Sequence, residues 1–449
     1  MGYQSDGYKP FEMASKASHH HIINDPTVKK TMALLDFPPD TNKIDLQGKT
    51  IPFLPDHRSP ITNIIAVDGG YTKVEVKKGF PSSLLHFFQF GALYFKREDL
   101  KSLNRIAHIS PEDMAVLNNI NRLKLALPTQ SFRREDTSSL LDTVRVSIHE
   151  FLLQETLGGS WSLLDTLKWF AFRRYKRQRT DADKTCDLMT SSPYKEFQGV
   201  VMLEENEMSS DGTFTCKQTG KKLYLTDIFR FHEIIGEEIG ATGICGYLAN
   251  IIEHLIAIHI IRHLLICNPS FLKKTLFIMD RPTGLFGQIA RLHQCMNDMV
   301  NWLFDHYQLY WAGLEKSGAF VEHANAIAHM MPNNSVLVLG DSYIYSYISP
   351  GEQNPNHPYA SSSYYGHKAI FKTARGQMHV VSVPVRRLKK EPVYNDLPNI
   401  TTILTHIDEL HCDMYNSALI PIALVNKLVS LSSHPSSDIL RKFAKSSIG

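Results

Sequence analysis

The stretch NIIAVDGGYTKVEV, residues 63–76, decides the fold class. An apolar, β-branched run climbs to Asp68, meets two glycines and resumes as alternating apolar and polar residues. Such runs are typical of strands, so we predict one strand over residues 61–67 and an antiparallel neighbour over 71–78. An aspartate at this point can hold a metal ion, bind a nucleotide phosphate or start an Asp-Gly turn.

Composition places the chain among ordinary globular proteins. It has 449 residues, 43% of them hydrophobic, and 48 Lys and Arg against 45 Asp and Glu, which gives a formal net charge of +3. This apolar content is enough for a sizeable core, and the near-neutral balance neither favours nor excludes nucleic acid. The six cysteines form no Cys-x-x-Cys pair, which argues against zinc ribbons and suits a reducing cytoplasm.

The most apolar segment is LANIIEHLIAIHIIRHLLI, residues 248–266. It contains Glu253, Arg262 and three histidines, so we expect a buried helix and not a membrane span. The start of the chain, MGYQSDGYKP, lacks the basic-then-apolar pattern of a signal peptide. We therefore expect a soluble cytoplasmic protein with no membrane association.

The order of predicted elements favours an α/β protein. Residues 1–60 are polar and contain several prolines, so we expect an N-terminal arm or linker ahead of one domain over 61–449. Within that domain 84–95 is a third early strand, and 111–230 is predicted to be a helical and loop insertion. The later chain predicts helices 247–266 and 285–306, strands 275–280, 309–317 and 335–341, a hairpin over 369–384, and two helices in 400–430. Together these elements predict α/β layers around a mixed sheet.

Aspartates end three of the predicted strands: IIAVD at Asp68, TLFIMD at Asp280 and SVLVLGD at Asp341. A lone aspartate of this kind is more often a turn former than a ligand. Several together are another matter, because α/β folds place their sites at strand ends and hard cations take carboxylate oxygens from several elements. A pair of such ions can stabilise both the attacking and the leaving oxygen in phosphodiester cleavage.

Glu253 lies in the apolar run ANIIEHLIAIHIIRHLL, with apolar residues on nearly every side. A buried carboxylate needs a partner, and both a metal ion and a salt bridge to Arg262 or a nearby lysine remain open. The same segment carries His259 and His263 at the i, i+4 spacing of a zinc pair. It lacks the His-Glu-x-x-His pattern, so we interpret both histidines as core or surface residues.

The segment FRRYKRQR, residues 172–179, combines basic side chains with one aromatic ring. It is a candidate strip for tracking DNA phosphates and stacking a base, although basic runs are more often simply solvated. Its candidate DNA contacts are Arg173, Arg174, Tyr175, Lys176, Arg177 and Arg179. A second basic run, RRLKK, covers residues 386–390.

Three further lysines are candidates for phosphate contacts. Lys316 follows a predicted strand, and a lysine beside paired carboxylates can stabilise charge on a scissile phosphate. Lys368 and Lys372, in YYGHKAIFKT, are candidate DNA contacts of the same kind.

Seven segments, in order over about residues 61–430, resemble the NurA family of nucleases in its bacterial branch. They are IAVDGGYTKVEVKKGFPSS, LTDIFRFHE, NIIEHLIAIHIIRHLL, LFIMDRPTGLFGQ, EKSGAFVEHA, YYGHKAIFKT and DELHCDMYNSALIPIALVNKLV. The resemblance implies an RNase H-like core, a homodimer, and degradation of DNA with manganese or magnesium. It also implies a HerA-like hexameric, DNA-translocating ATPase as partner, in DNA-end processing or defence against phage.

The resemblance further implies that Asp68, Glu253 and Asp280 hold the metal. In such a nuclease Lys316 would neutralise developing charge. Two positions depart from the family. The second aspartate is usually followed by Gly-Pro-Leu, where this chain has Arg281-Pro282-Thr283, and Asn426 stands where the family tends to have a histidine. Asn426, whose amide oxygen can bind a hard cation, is therefore a weaker candidate ligand. Asp341, at the end of the third predicted strand, is another.

Two other functions remain open. DGGYTK resembles the first phosphate loop of actin-like-fold sugar kinases and ATPases, but FIMDRPTG matches their second loop poorly and a glycine-rich adenosine segment is missing. Alternatively, the chain is a non-catalytic regulatory partner of the ATPase. Arg281 and Asn426 are the residues that favour this last hypothesis.

Overall fold

The structure, a computed structural model, describes residues 19–35, 44–77, 82–103, 122–176, 188–412, 418–431 and 436–448. Its strands are β1 Thr50–Pro52, β2 Asn63–Lys77, β3 Ser83–Lys96, β4 Leu123–Gln130, β5 Leu188–Ser191, β6 Val200–Leu203, β7 Thr213–Thr215, β8 Lys222–Tyr224, β9 Thr275–Met279, β10 Tyr310–Glu315, β11 Ser335–Val338, β12 Gly366–Lys372 and β13 Met378–Pro384.

The α-helices of the described ranges are α1 His19–Asn24, α2 Pro26–Ala33, α3 Arg97–Leu103, α4 Leu140–Gln154, α5 Leu163–Ala171, α6 Cys245–Cys267, α7 Pro269–Leu272, α8 His293–His306, α9 Ala319–Ala326, α10 Asp341–Tyr347, α11 Ile400–Glu409, α12 Ile420–Val429 and α13 Ser436–Ile448. Short 3₁₀ turns occur at Arg174–Lys176, Glu205–Glu207, Leu225–Phe229, Phe231–Glu233, Thr242–Ile244, Gly287–Leu292 and Tyr394–Asp396.

One nine-stranded sheet organises the chain, in the order β1-β11-β12-β13-β10-β9-β2-β3-β4. The three central strands β10, β9 and β2 are parallel, and the strands on either side of them are antiparallel. The predicted class, an α/β protein around a mixed sheet with helical insertions, is confirmed. The arrangement is consistent with the RNase H-like core that the sequence resemblance implies.

Alternation along β2 separates two hydrophobic cores. Ile65 and Val67 belong to a core that also contains α6. Ile64 and Ala66 belong to a second core, on the other face, that contains α11 and α12. Successive side chains of a strand point to opposite faces of the sheet, so the apolar run before Asp68 supplies both cores at once.

The sequence prediction of two strands separated at Asp68 is wrong. β2 is one continuous strand of 15 residues, and Asp68 pairs with Gly91 inside the β2–β3 ladder. Gly69 and Gly70 are not turn residues but points of close approach. A Cβ on Gly69 would lie 2.5 Å from a ring carbon of Phe90. A Cβ on Gly70 would lie 2.5 Å from the backbone carbonyl oxygen of Val429, the last residue of α12.

The predicted core helix over 247–266 is confirmed as α6. In the described part of the chain, the segment Thr242–Cys267 is the one helix long and apolar enough to cross a membrane, yet 83% of its most apolar window is buried inside the protein. It packs on β2, β3 and α5. Its apolar surface is therefore satisfied by the protein core.

The structure differs from the predicted organisation in three respects. Leu123–Gln130, inside the predicted helical insertion over 111–230, is strand β4, with alternating burial along LKLALPTQ. Residues 44–53 of the predicted arm over 1–60 join the main domain, because β1 pairs with β11 and Phe53 is buried. Helices α9, α10 and α13 were not predicted, because their short apolar patterns do not stand out from neighbouring loops.

The buried histidine of β12 predicts a pH dependence of stability. The Nε2 atom of His367 accepts the backbone N–H of Lys389 at 3.0 Å, and burial lowers the pKa of His367 from 6.5 to about 4. The unfolded chain takes up this proton near pH 6.5 and the folded chain only near pH 4, so the folded state loses stability as the pH falls through this window.

We expect His367→Gln to flatten that dependence by up to about 3 kcal/mol, because the amide oxygen keeps the acceptor but does not titrate. Urea unfolding between pH 4.5 and 7.5 measures it, with the exposed His357→Gln as control. Equal pH slopes for His367→Gln and wild type would show that another group sets the acid sensitivity.

Candidate active site

Parallel strand pairing places two predicted carboxylates side by side. Val67 of β2 pairs with Met279 of β9, so the residues that follow, Asp68 and Asp280, meet at the same end of the sheet. β10 runs parallel to β9 and delivers Lys316, which follows its last residue, to the same end. The parallel pairing of β2 with β9 ends here, although β2 itself continues to Lys77, and α/β proteins place their sites at this end of the parallel strands.

Glu253 reaches this edge from α6 and is completely buried. Its two carboxylate oxygens accept hydrogen bonds from Nε and Nη2 of Arg281, the latter at 3.0 Å. A salt bridge is therefore present, but not to Arg262, whose guanidinium packs 4.8 Å from the ring of Trp161. Sequence reasoning noted Arg281 only as a departure from a family pattern and missed it as the partner of Glu253.

The other two carboxylates have different partners. Oδ1 of Asp68 accepts the Gly69 backbone N–H at 2.8 Å, and Oδ2 accepts the side-chain amide of Asn426 at 2.9 Å. Oδ2 of Asp280 accepts the ammonium group of Lys316, whereas its Oδ1 is buried without a hydrogen-bond partner. In this contact Asn426 fixes the orientation of Asp68, and its role as a metal ligand stays a prediction.

Burial raises the pKa values of all three carboxylates in this cluster, and repulsion from neighbouring acids adds to the shift at two of them. Burial, with the nearby Asp68 carboxylate adding to it, raises the pKa of Asp280 to about 7. Burial raises the pKa of Glu253 to about 8, although Arg281 opposes the shift. The pKa of Asp68 is raised as well, chiefly by burial. Additional positive charge at this edge would stabilise all three carboxylates.

The oxygen atoms of the three carboxylates are suitable ligands for a divalent cation. Carboxylate oxygens from three elements are the ligands that magnesium and manganese prefer, and Oδ1 of Asp280 is a buried acceptor with an open position. Among the described residues, however, no three His, Cys, Asp or Glu side chains form a ready-made metal cage. Both oxygens of Glu253 are directed at Arg281 instead.

Two other candidate metal positions lie outside this cluster. Asp341 accepts the backbone N–H of Tyr359 at 3.0 Å, and its strand β11 is four positions from β9 in the sheet. At the usual strand spacing that is roughly 19 Å, so Asp341 cannot share an ion with Asp280, and the sequence suggestion is wrong. Nδ1 of His259 bonds the Thr166 hydroxyl at 2.8 Å inside the core, as expected of a core histidine.

The predicted basic strip is largely neutralised where the structure describes it. Arg173 and Lys176 both pair with Asp298, and Arg174 pairs with Glu205 at 2.8 Å. These acids are distant in sequence and did not enter the prediction. A DNA contact by these three residues would have to replace an existing ion pair.

Tyr175 cannot serve as the exposed stacking ring that the sequence predicted. It is 7% exposed and packs between Trp169 and Trp302, with ring centroids 5.2 and 5.3 Å away. The aromatic residue anchors the strip to the core. Arg177 and Arg179 lie outside the described residues.

Lys368 and Lys372 are also engaged inside the protein. Lys368 is 5% exposed and bonds Glu315 at 2.8 Å. Lys372 donates to the backbone carbonyls of Ala328 and Met331, at 2.7 and 2.8 Å, just beyond α9. Their ammonium groups hold secondary elements together, so DNA contact by Lys368 or Lys372 stays a prediction and would have to replace these contacts.

Comparison with known proteins gives matches among solved structures alone. No family model matches the sequence, and no curated protein matches it. The NurA nuclease from Sulfolobus solfataricus matches at 6% identity over 97% of this chain and 98% of that chain, with a TM-score of 0.32. A NurA structure with manganese matches at 12% identity over 97% and 99%, with a TM-score of 0.29.

A NurA structure bound to dAMP and manganese matches at 11% identity over 86% of this chain and 88% of that chain, with a TM-score of 0.22. All three are NurA structures. The family is the one that the sequence segments resemble, and the matches run over most or nearly all of the chain. At these identities and TM-scores they decide nothing about function, which we therefore infer from the residues of the site.

The site predicts that a divalent ion stabilises the folded protein. We expect millimolar Mn²⁺ to raise the melting temperature by a few degrees, because an ion that binds only the folded state shifts the unfolding equilibrium. Asp68→Asn and Asp280→Asn should each remove most of this shift. Asp341→Asn, an acid outside the cluster, is the matched control and should keep it. Differential scanning calorimetry measures the shift, and an undiminished shift in both site variants would place the ion elsewhere.

Proposed function

We propose that the protein is a metal-dependent DNA nuclease that hydrolyses phosphodiester bonds. The observation that supports this best is that Asp68 and Asp280 follow adjoining residues of β2 and β9, with Lys316 bound to Asp280, one buried oxygen of Asp280 unpartnered, and Glu253 near enough to interact electrostatically with both acids. Mn²⁺ or Mg²⁺ is proposed as the ion because the donors are carboxylate oxygens. DNA is proposed as the substrate from the sequence resemblance to NurA nucleases.

Each residue of the cluster has a role in this proposal. A bound ion would supply Lewis-acid stabilisation of charge on the reacting phosphate. Asp68, within β2, and Asp280, just after β9, are the proposed acidic donors, and Glu253 is the third carboxylate. Asn426 keeps the Asp68 carboxylate in one orientation through its 2.9 Å hydrogen bond.

Lys316 is the residue placed to contact substrate. Its side chain is 37% exposed, whereas Asp280 is 9% exposed, so the ammonium group lies at the solvent side of the pair. A bound ion at Asp280 would neutralise this carboxylate in place of Lys316, and the ammonium group would then be free to contact a phosphate oxygen. In that position it neutralises the charge that develops during cleavage.

The wider setting is part of the same proposal. By the family resemblance, the protein works as a homodimer in the cytoplasm with a HerA-like hexameric ATPase that moves DNA. The pathway is DNA-end processing or defence against phage.

Two alternatives meet specific observations. An actin-like kinase would need DGGYTK to form a phosphate-binding loop, but these residues continue strand β2 and pair with β3, which counts against it. A non-catalytic regulator is favoured by Arg281, which occupies both oxygens of Glu253. A cleavage assay separates the regulator from the nuclease.

We expect the wild-type protein to cut linear duplex or single-stranded DNA in Mn²⁺, alone or with its ATPase. Asp68→Ala and Asp280→Ala should reduce the rate by at least roughly 100-fold, because each removes charge stabilisation at the reacting phosphate. Asp341→Ala serves as control and should retain activity. Activity equal to wild type in both site variants would reject the site, and an inactive wild type under both conditions would favour the regulator.

A further inference from the structure

The Glu253–Arg281 pair is a buried, two-point ion pair inside the proposed site. Arg281 directly follows Asp280 in sequence and binds both oxygens of Glu253 through Nε and Nη2. Glu253 is 0% exposed, and the Arg281 side chain is 29% exposed. A planar guanidinium matches a carboxylate in this forked geometry, which a single ammonium group cannot reproduce.

The two cations of the site differ in how easily they can leave. Removing one partner of a buried ion pair is strongly unfavourable when the other charge is left uncompensated. An ion that bound Glu253 would have to displace Arg281 from both carboxylate oxygens and leave the guanidinium without its partner. Lys316 holds Asp280 by a single contact, so an ion that binds Asp280 has one contact to replace instead of two. Asp68 and Asp280 are therefore open to an ion, and Glu253 is not.

The net charge of the site also indicates that one divalent ion binds, and that Glu253 is not one of its ligands. When all three carboxylates are ionised they carry three negative charges, and the Arg281 guanidinium neutralises one of them. When Lys316 moves to solvent or to a phosphate, two negative charges remain, which one divalent ion balances. A second divalent ion would leave this buried edge with excess positive charge, since Arg281 already lies there.

We infer that Arg281 is a fixed cation that takes the place of a second metal ion, so that this chain binds one divalent ion, between Asp68 and Asp280. This rests on the proposed nuclease function and adds its metal count. Arg281 is a positioning residue in this arrangement: it holds Glu253 as a bound carboxylate.

The test counts Mn²⁺ bound to the full-length, metal-stripped protein, by titration with electron paramagnetic resonance of the free ion. We expect one ion per wild-type chain and two for Arg281→Gln, because the freed Glu253 carboxylate then completes a second position. Arg281→Lys keeps a positive charge and should stay at one. Glu253→Gln/Arg281→Gln removes the freed carboxylate and should also bind one.

Two results would overturn the inference: two ions on the wild-type chain, or one ion on folded Arg281→Gln. If Arg281→Gln does not fold, as judged by circular dichroism, the wild-type count decides the question. Two bound ions with DNA cleavage would reject the one-ion site and leave the nuclease standing. No bound ion and no cleavage would reject the nuclease itself, and the inference with it.

Discussion

The site depends on one constraint, the parallel register between β2 and β9. Val67 lies beside Met279 in that ladder, so the next residue of each strand is an aspartate at the same sheet end. Burial, and after it repulsion from the Asp68 carboxylate, raise the pKa of Asp280, so holding the two acids side by side is unfavourable. They stay together because the apolar residues before them are locked into two cores on opposite faces of the sheet.

Glu253 adds a third charge from a helix that is otherwise apolar. A carboxylate in such a helix is tolerated only with a partner of high quality, and Arg281 provides it. The arginine reaches Glu253 because it follows Asp280 by one residue, where the chain leaves the end of β9. One short segment, Asp280-Arg281, thus supplies both an acid to one part of the site and a cation to the other.

Much of this was predictable from sequence, for a physical reason. Buried strands and a buried helix have strong apolar patterns, and an acid within or just after such a pattern stands out, so Asp68, Glu253 and Asp280 were found together. Partners of charged residues leave no such local pattern. Arg262 is the partner that the sequence suggests for Glu253, because both lie on the same helix. The actual partner, Arg281, lies just after β9. The basic strip failed likewise, because the ion partners Asp298 and Glu205 come from distant segments.

The glycines after Asp68 illustrate the remaining gap between sequence and structure. In sequence, Asp-Gly-Gly is typical of a turn or a phosphate loop. In the structure Gly69 stays in the strand, and a Cβ there would lie 2.9 Å from Oε1 of Glu253. The missing side chain is what lets a carboxylate from α6 approach a backbone that presents Asp68 on the other side. A turn glycine and a glycine of close approach are identical in sequence, and only the position of α6 distinguishes them.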